Sequence, residues 1–322
     1  MSLSAGTLGV CVTKIDEVSP EIRRFTLASP DGRHLPSFSG GSHVVVVIPN
    51  GDAAFRNPYS LMSSPYDTST YQIAVRRDDR GRGGSMAMHR QVREGDLLEI
   101  TPPVNLFPLV KQARLHIFIA GGIGITPFFS QLEELRLSDV PFEVHLAVRG
   151  AAHAQLGEEL VAIFGDRVHL YRADAGHRLD TGAVLAQRPL GSHVYVCGPD
   201  SMIQSTLACA RENGWTDSHV HYERFLQQSS GGDPFSVTLA RSGITVHVSP
   251  DQSMLEAVEA AGLEIPYLCR GGACGRCESD VLELEGEIQH ADDWLSSDEK
   301  SANTKIMPCV SRASCTRLVI DR

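Results

Sequence analysis

The sequence predicts a multidomain fold: an antiparallel β-barrel, then a doubly wound α/β domain, then a small α+β unit. Three observations carry this. At 322 residues the chain exceeds the roughly 250–300 residues at which a single core stops growing. Short β-rich runs punctuated by Gly, Pro and Asn fill the first third, whereas strand and helix patterns alternate in the middle. The polar stretch Gln227–Pro234, QQSSGGDP, is crossed by no periodic pattern and reads as a linker.

In the first segment, residues 1–110, strands are expected at Gly9–Ile15, Arg24–Ala28, His43–Ile48, Tyr71–Arg76 and Asp96–Ile100, a spacing that suits an antiparallel barrel. Residues 111–226 place apolar strands at Leu115–Ala120, Glu143–Val148, Val168–Tyr171 and His193–Cys197 between helices such as Pro127–Leu137 and Ser201–Asn213, the signature of an open α/β sheet. After the linker at 227–234, residues 235–322 offer a hairpin (Phe235–Ala240, Thr245–Val248) and a helix at Ser253–Ala261 stopped by Gly262. Closing strands follow near Val281–Leu284 and Leu318–Asp321.

Composition narrows the function classes. With 42% hydrophobic and 21% charged residues and no run of roughly 18 apolar residues, the sequence reads as that of a globular protein without a membrane helix. Its first residues, MSLSAGTLGVCVTKID, carry no secretory pattern, so a cytosolic location is expected. The net charge of −10 divides into 0 for residues 1–110, −4 for 111–233 and −6 for 234–322, which argues against nucleic acid as a partner. The acidic last segment suits either a basic partner surface or plain solvation.

Four of the eight cysteines fall within 41 residues near the C-terminus, a metal-site pattern rather than a disulfide framework. Cys269, Cys274 and Cys277 are followed after 31 residues by Cys309, the C-x4-C-x2-C…C spacing of plant-type 2Fe–2S clusters. Three thiolates must converge from one short loop, and Gly271, Gly272 and Gly275 let the backbone fold around the core and aim amides at its sulfurs. Zinc, the competing reading, usually takes C-x2–4-C pairs.

Leu115–Ala120 runs into Gly121, Gly122, Gly124, Ile125, Thr126 and Pro127 and then a helix with Phe128, Leu132 and Leu135 on one face. This is a phosphate cradle at a helix N-terminus, with Thr126 as candidate cap and Pro127 in the first turn. Pro127 stands where a Rossmann fingerprint has its third glycine. A second strand ends in Cys197, Gly198 and Pro199, where Cys197 can meet a nicotinamide or serve as a buried thiol. In the first segment, Arg56-Asn57-Pro-Tyr59-Ser60 and Arg82-Gly83-Gly84-Ser85 combine an aromatic face, hydroxyls and arginines suited to a flavin, although each is also compatible with a plain turn.

Taken in order, these motifs span nearly the whole chain and resemble the phthalate dioxygenase reductase family, whose members join FMN, NAD and C-terminal β-grasp ferredoxin domains. The resemblance implies that Tyr59 and Ser60 line the flavin, that Ala74, Val75 and Arg76 run beside its ring, and that Gly83, Gly84 and Ser85 hold its phosphate end. It makes Gly121–Pro127 and Cys197–Pro199 the NAD motifs, Glu223 the acidic residue near the flavin and Phe225 the aromatic that covers it. The family pattern is Arg-x-Tyr-Ser. Here Asn57 stands two before Tyr59 and the arginine, Arg56, three before, so either is a candidate flavin ligand. Gly40–Val44 together with Tyr59–Pro65 look like a subgroup serving oxygenases of carnitine-type amines.

A hydride carries two electrons and a 2Fe–2S cluster accepts one, so a flavin between them meets a chemical need. The expected route is NADH to FMN to the cluster, then single electrons to a terminal oxygenase, most readily of the Rieske non-haem iron type. Alternatives are a cytochrome P450 partner, a stand-alone NADH:acceptor reductase and a redox sensor. Asp174 is a candidate for the adenosine ribose, or an ordinary loop acid.

Overall fold

The computed structural model describes residues 6–51, 53–225 and 232–322. Strands β1 (Leu8–Ser19), β2 (Ile22–Ala28), β3 (Ser42–Asn50), β4 (Ala53–Ser60) and β5 (Thr70–Arg76), helix α1 (Gly84–Arg90), and strands β6 (Leu97–Ile100) and β7 (Val104–Asn105) come first. The strands form one sheet in the order β4-β3-β6-β1-β2-β5, with β7 on β3. Val10 and Val12 on β1, and Phe25 and Leu27 on β2, are fully buried, each worth roughly 1.5–3 kcal/mol when taken out of water. The sequence reading missed β4 and α1. β4 contains Pro58, which is tolerated because β4 ends the sheet and needs no second ladder partner. α1 begins on Gly84 and so lacks a side-chain start signal.

The middle segment runs β8 (Leu115–Gly121), α2 (Thr126–Arg136), β9 (Phe142–Val148), α3 (Gln155–Phe164), β10 (Val168–Arg172), α4 (Thr181–Leu185), β11 (Ser192–Cys197), α5 (Asp200–Glu212) and β12 (Val220–Glu223). All its strands are parallel, in the order β10-β9-β8-β11-β12. The order reverses between β8 and β11, a switch point whose strand ends form a crevice. Every residue of β11 is buried, as expected of a strand covered on both faces.

The last segment contains β13 (Phe235–Leu239), β14 (Ile244–Val248), α6 (Met254–Ala260), β15 (Ser279–Gln289), α7 (Ser297–Ala302), β16 (Lys305–Ile306) and β17 (Arg312–Ile320), ordered β14-β13-β17-β15-β16. Helix α6 starts with a complete capping box, Ser253 with Glu256, and Gly262 follows its end at φ +75. The expected linker at 227–234 lies outside the described residues as far as 231; Gly232, Asp233 and Pro234 carry neither helix nor strand.

The chain divides into two compact units. The first comprises the described residues of Met1–Val47, Tyr59–Arg77 and Met88–Phe225; the second those of Ile48–Pro58, Asp78–Ala87 and Leu226–Arg322. Within the first unit the N-terminal sheet is locked to the α/β segment. Ser130 Oγ accepts from the Gly41 amide at 3.1 Å, Gln131 Nε2 donates to Phe107 O, and Arg24 forms a two-pronged pair with Glu159.

Candidate redox centre and nucleotide site

The four cluster-motif cysteines are brought together in the second unit, and they stand as two pairs. Cys269 hydrogen-bonds Cys274, and the Cys277 thiol donates to Cys309 Sγ at 3.3 Å. The hydrogen bond from the Cys269 thiol lowers Cys274 to about 5. Backbone amides converge as the glycine-rich loop implied, from Gly271 to Cys269 at 3.3 Å, from Arg276 to Cys274 and from Gly272 to Cys309. A single tetrahedral zinc at about 2.3 Å from each sulfur would draw all four to within about 3.8 Å of one another. The sulfurs stand as two hydrogen-bonded pairs, an arrangement that suits two irons. Among the described residues, Glu143, His145 and His169 form a compact group of three candidate ligands, and Glu143 already has Arg188 at 2.6 Å.

In the first unit the two nucleotide motifs meet at the switch point. Gly121 ends β8 and Gly122–Ile125 follow it, Cys197 ends β11 before Gly198 and Pro199, and Gly124 is packed so closely on the end of β11 that any Cβ would overlap the Cys197 carbonyl. The glycine is therefore required by the approach of the two loops. Gly122, at φ +54, faces open space. One expectation is corrected: Thr126 does not cap α2. It is the first residue of that helix, the N-cap position is Ile125 without a side-chain bond, and Thr126 Oγ1 instead donates to Ile123 O at 3.0 Å, closing the preceding 3₁₀ turn. Pro127 occupies the first turn as expected.

Cys197 pairs in register with Glu223 on β12. Burial pushes both groups up, the Cys197 thiol well above its ordinary value and the Glu223 carboxyl to about 8. Glu223 Oε2 is buried without a hydrogen-bond partner. Phe225, two residues on, is 39% exposed. Asp174 lies beyond the C-terminal end of β10, paired with Arg172 at 3.2 Å and accepting from the Ala151 amide at 3.3 Å. Arg172 holds its carboxyl below the usual range.

The flavin-motif residues fall in both units. Tyr59, Ser60, Ala74, Val75 and Arg76 belong to the first, where β5 is an edge strand with β2 as its neighbour in the sheet. Arg56, Asn57, Gly83, Gly84 and Ser85 belong to the second. Phe55 and Asn57 face the 83–84 turn, with Phe55 against Gly83 and Asn57 against Gly84. Strand alternation turns Arg56 to the opposite face. Ser85 Oγ accepts from the Asp78 amide at 3.0 Å and retains a proton to donate.

Known proteins match this arrangement. Residues 237–314 match the 2Fe-2S iron-sulfur cluster binding domain family, residues 10–108 the oxidoreductase FAD-binding domain, and residues 99–220 the N-terminal domain of dimethylamine monooxygenase subunit DmmA-like proteins. The solved structure of phthalate dioxygenase reductase, described as a modular structure for electron transfer from pyridine nucleotides to the 2Fe–2S centre, overlays with a TM-score of 0.87 at 33% identity, covering 98% of each chain. This chain belongs to the phthalate dioxygenase reductase family. Like other members of that family, it is an iron–sulfur flavoprotein oxidoreductase that serves an oxygenase system. Among curated relatives, the carnitine monooxygenase reductase subunit of Acinetobacter baumannii is 42% identical, covering 96% of each chain. The heme-dependent oxidative N-demethylase beta subunit of Ectopseudomonas mendocina is 44% identical, covering 98% of each.

Several residues of this phthalate dioxygenase reductase relative escaped the sequence reading. Trp294 lays its indole on Gly275 between two cluster cysteines and donates to Glu278 at 2.8 Å. Arg270, buried beside Cys269, pairs with Glu259 and covers the Tyr267 ring at 3.9 Å. The signal was there in Arg270 itself, a cation inside a cysteine loop that must find a carboxylate.

Proposed function

We propose that this chain oxidises NADH and passes the electrons through FMN and its 2Fe–2S cluster, one at a time, to a separate terminal oxygenase. The observation that carries the reading is the pair of cysteine pairs, a one-electron centre in a chain that also presents a nucleotide crevice at its switch point. A bound flavin would supply acceptance of one hydride, with its two electrons, and their release one at a time, and a bound cluster would supply single-electron relay.

The chain's own residues prepare each step. Gly121, Gly122, Gly124, Ile125, Thr126 and Pro127 offer backbone to a pyrophosphate at the start of α2, and Asp174, kept ionised by Arg172, accepts from ribose hydroxyls. Gly198 and Pro199 turn the chain so that Cys197 ends at the crevice as a neutral thiol. Glu223, protonated near neutral pH, sets no second negative charge where the polyanionic nucleotide enters. Phe225, by the family resemblance, covers the flavin. Tyr59, Ser60 and the Ala74–Arg76 edge take the flavin ring. Gly83, Gly84 and Ser85 with Asn57 take its phosphate, and the C-terminal place of the ferredoxin segment supports FMN as the flavin. By family resemblance the domains divide at 1–110, 111–226 and 235–322 around the 227–234 linker, with residues 48–58 and 78–87 falling in the same compact unit as the last of them.

No helix among the described residues is long and apolar enough to cross a membrane. Cysteines clustered as metal ligands rather than as disulfides support a cytosolic setting. The first choice of partner is a Rieske-type oxygenase, in line with the carnitine monooxygenase relative and the likeness of Gly40–Val44 and Tyr59–Pro65. A haem-dependent oxidative demethylase is the second reading, favoured by the 44% identity of the N-demethylase subunit. Purified chain with NADH should reduce the Rieske centre of an amine oxygenase and support product formation. Reduction of haem but not Rieske acceptors would select the second reading, and dominant release of FAD on heating would remove the FMN assignment.

A further inference from the structure

We propose that Arg82 and Glu256 form a positioning latch that registers the Gly83–Ser85 loop against the cluster, through helix α6, and so sets the rate of flavin-to-cluster electron transfer. The proposal rests on the reading that Gly83–Ser85 hold the flavin phosphate. Both segments lie in the same compact unit although 174 residues separate them in sequence.

The contact is two-pronged, Arg82 Nη1 to Glu256 Oε2 at 2.5 Å and Nη2 to Oε1 at 2.8 Å, with the side chains only 10% and 13% exposed. Such a fork fixes distance and orientation together, which a point charge does not. Glu256 Oε2 also accepts from the Ser253 amide and hydroxyl, both at 2.9 Å, so the carboxylate is fully engaged and its direction is set by the start of α6.

Helix α6 is in turn tied to both ends of the cysteine set. The amide of Leu255, the neighbour of Glu256, donates to Pro308 O at 2.9 Å, one residue before Cys309. Glu259, one turn on, pairs with Arg270, the residue after Cys269. Arg312 anchors the loops beneath, donating to Ser249 O and Asp233 O at 3.1 Å each. A contiguous set of hydrogen bonds thus runs from the loop at Gly83 to Cys269 and Cys309. Exposed surface pairs carry little positional information; one this enclosed and this geometrically constrained does.

The test compares Arg82→Gln, Glu256→Gln and the swap Arg82→Glu with Glu256→Arg in the full-length holoprotein. Stopped-flow spectroscopy separates flavin reduction by NADH from the appearance of reduced cluster. Hydrogen exchange of the 83–87 and 253–258 amides, which needs no turnover, reports whether the latch is open. The expected result is hydride transfer at the wild-type rate per bound flavin in Glu256→Gln, cluster reduction per bound flavin slowed roughly tenfold in each single variant, coupled loss of protection in both segments, and recovery of both readouts in the swap. Wild-type cluster reduction in a variant whose two segments have lost protection overturns the proposal, and so does a loss of protection confined to one segment. Failure of the underlying reading shows differently: Gly84→Val with full flavin content would separate the loop from the flavin whatever the latch does.

Discussion

The side-chain amide of Asn57 is seated against the Cα of Gly84, where an added Cβ would come within 2.6 Å of Asn57 Oδ1 and 2.8 Å of Nδ2. Gly84→Ala must therefore push Asn57 aside, and overpacking of this kind costs about 1–3 kcal/mol. Flavin retention should weaken about tenfold or more, with partial recovery in the Gly84→Ala, Asn57→Ala double variant. Arg56→Ala, on the opposite face of β4, should change retention less than about threefold, within the usual range of surface substitutions. Flavin fluorescence during dilution measures all three, and apoprotein from Arg56→Ala alone would reverse the assignment.

Gly124 meets a backbone carbonyl, which has no rotamer by which to retreat. Gly124→Ala should lower stability by about 1–3 kcal/mol and spoil the nucleotide crevice, raising KM for NADH while ferricyanide reduction by chemically reduced flavin persists. Cys197→Ala replaces one small buried side chain by another, so it should slow hydride transfer and leave flavin binding and the melting midpoint nearly unchanged. Single-turnover flavin reduction at the wild-type rate would leave Cys197 as packing only.

The Glu223 carboxyl, raised to about 8 by burial, has a worked-out pH consequence. Its folded value lies above the unfolded one, so its contribution is fully present below the unfolded pKa and is lost as pH rises through the folded one. Stability of the ligand-free protein should fall progressively between about pH 4.5 and pH 8 from this group. Glu223→Gln should flatten that fall, which thermal melts across the range would reveal. Parallel pH profiles for wild type and variant would show that the carboxyl is ionised in the fold.

Cys274→Ser takes one sulfur from the Cys269 pair and so removes one of the four thiols that would hold a cluster. The variant should lose its 2Fe–2S absorbance yet still reduce ferricyanide with NADH at close to the wild-type rate, because the flavin and nucleotide residues lie elsewhere in the chain. Reduction of cytochrome c or of the oxygenase should fail. Full oxygenase support by a variant shown to lack the cluster would put the electron exit at the flavin.

Much of this molecule is legible from local pattern. The C-x4-C-x2-C spacing, the apolar runs of β8 and β11 and the Ser253 cap of α6 are read within a few residues of one another, where periodicity and turn chemistry act. β4 and α1 were missed because their formation depends on an edge position and on a glycine start, neither of which leaves a local mark. Thr126 looked like a cap because it precedes Pro127; the 3₁₀ turn at Gly122–Ile125 shifts the helix start by one residue and turns its hydroxyl back to Ile123.

The sequence by itself determined the cofactor class and the order of the three segments, because ligand type and spacing are covalent properties of the chain. Tertiary structure decided what no spacing encodes. It set the cysteines as two pairs, brought Gly124 onto the end of Cys197, chose Asn57 over Arg56 as the neighbour of Gly84, and joined Arg82 to Glu256 across 174 residues. These relationships depend on which strand edges and loop ends the packed sheets bring together, and burial then makes each one exacting, since an enclosed charge or a blocked Cβ has no solvent into which to escape.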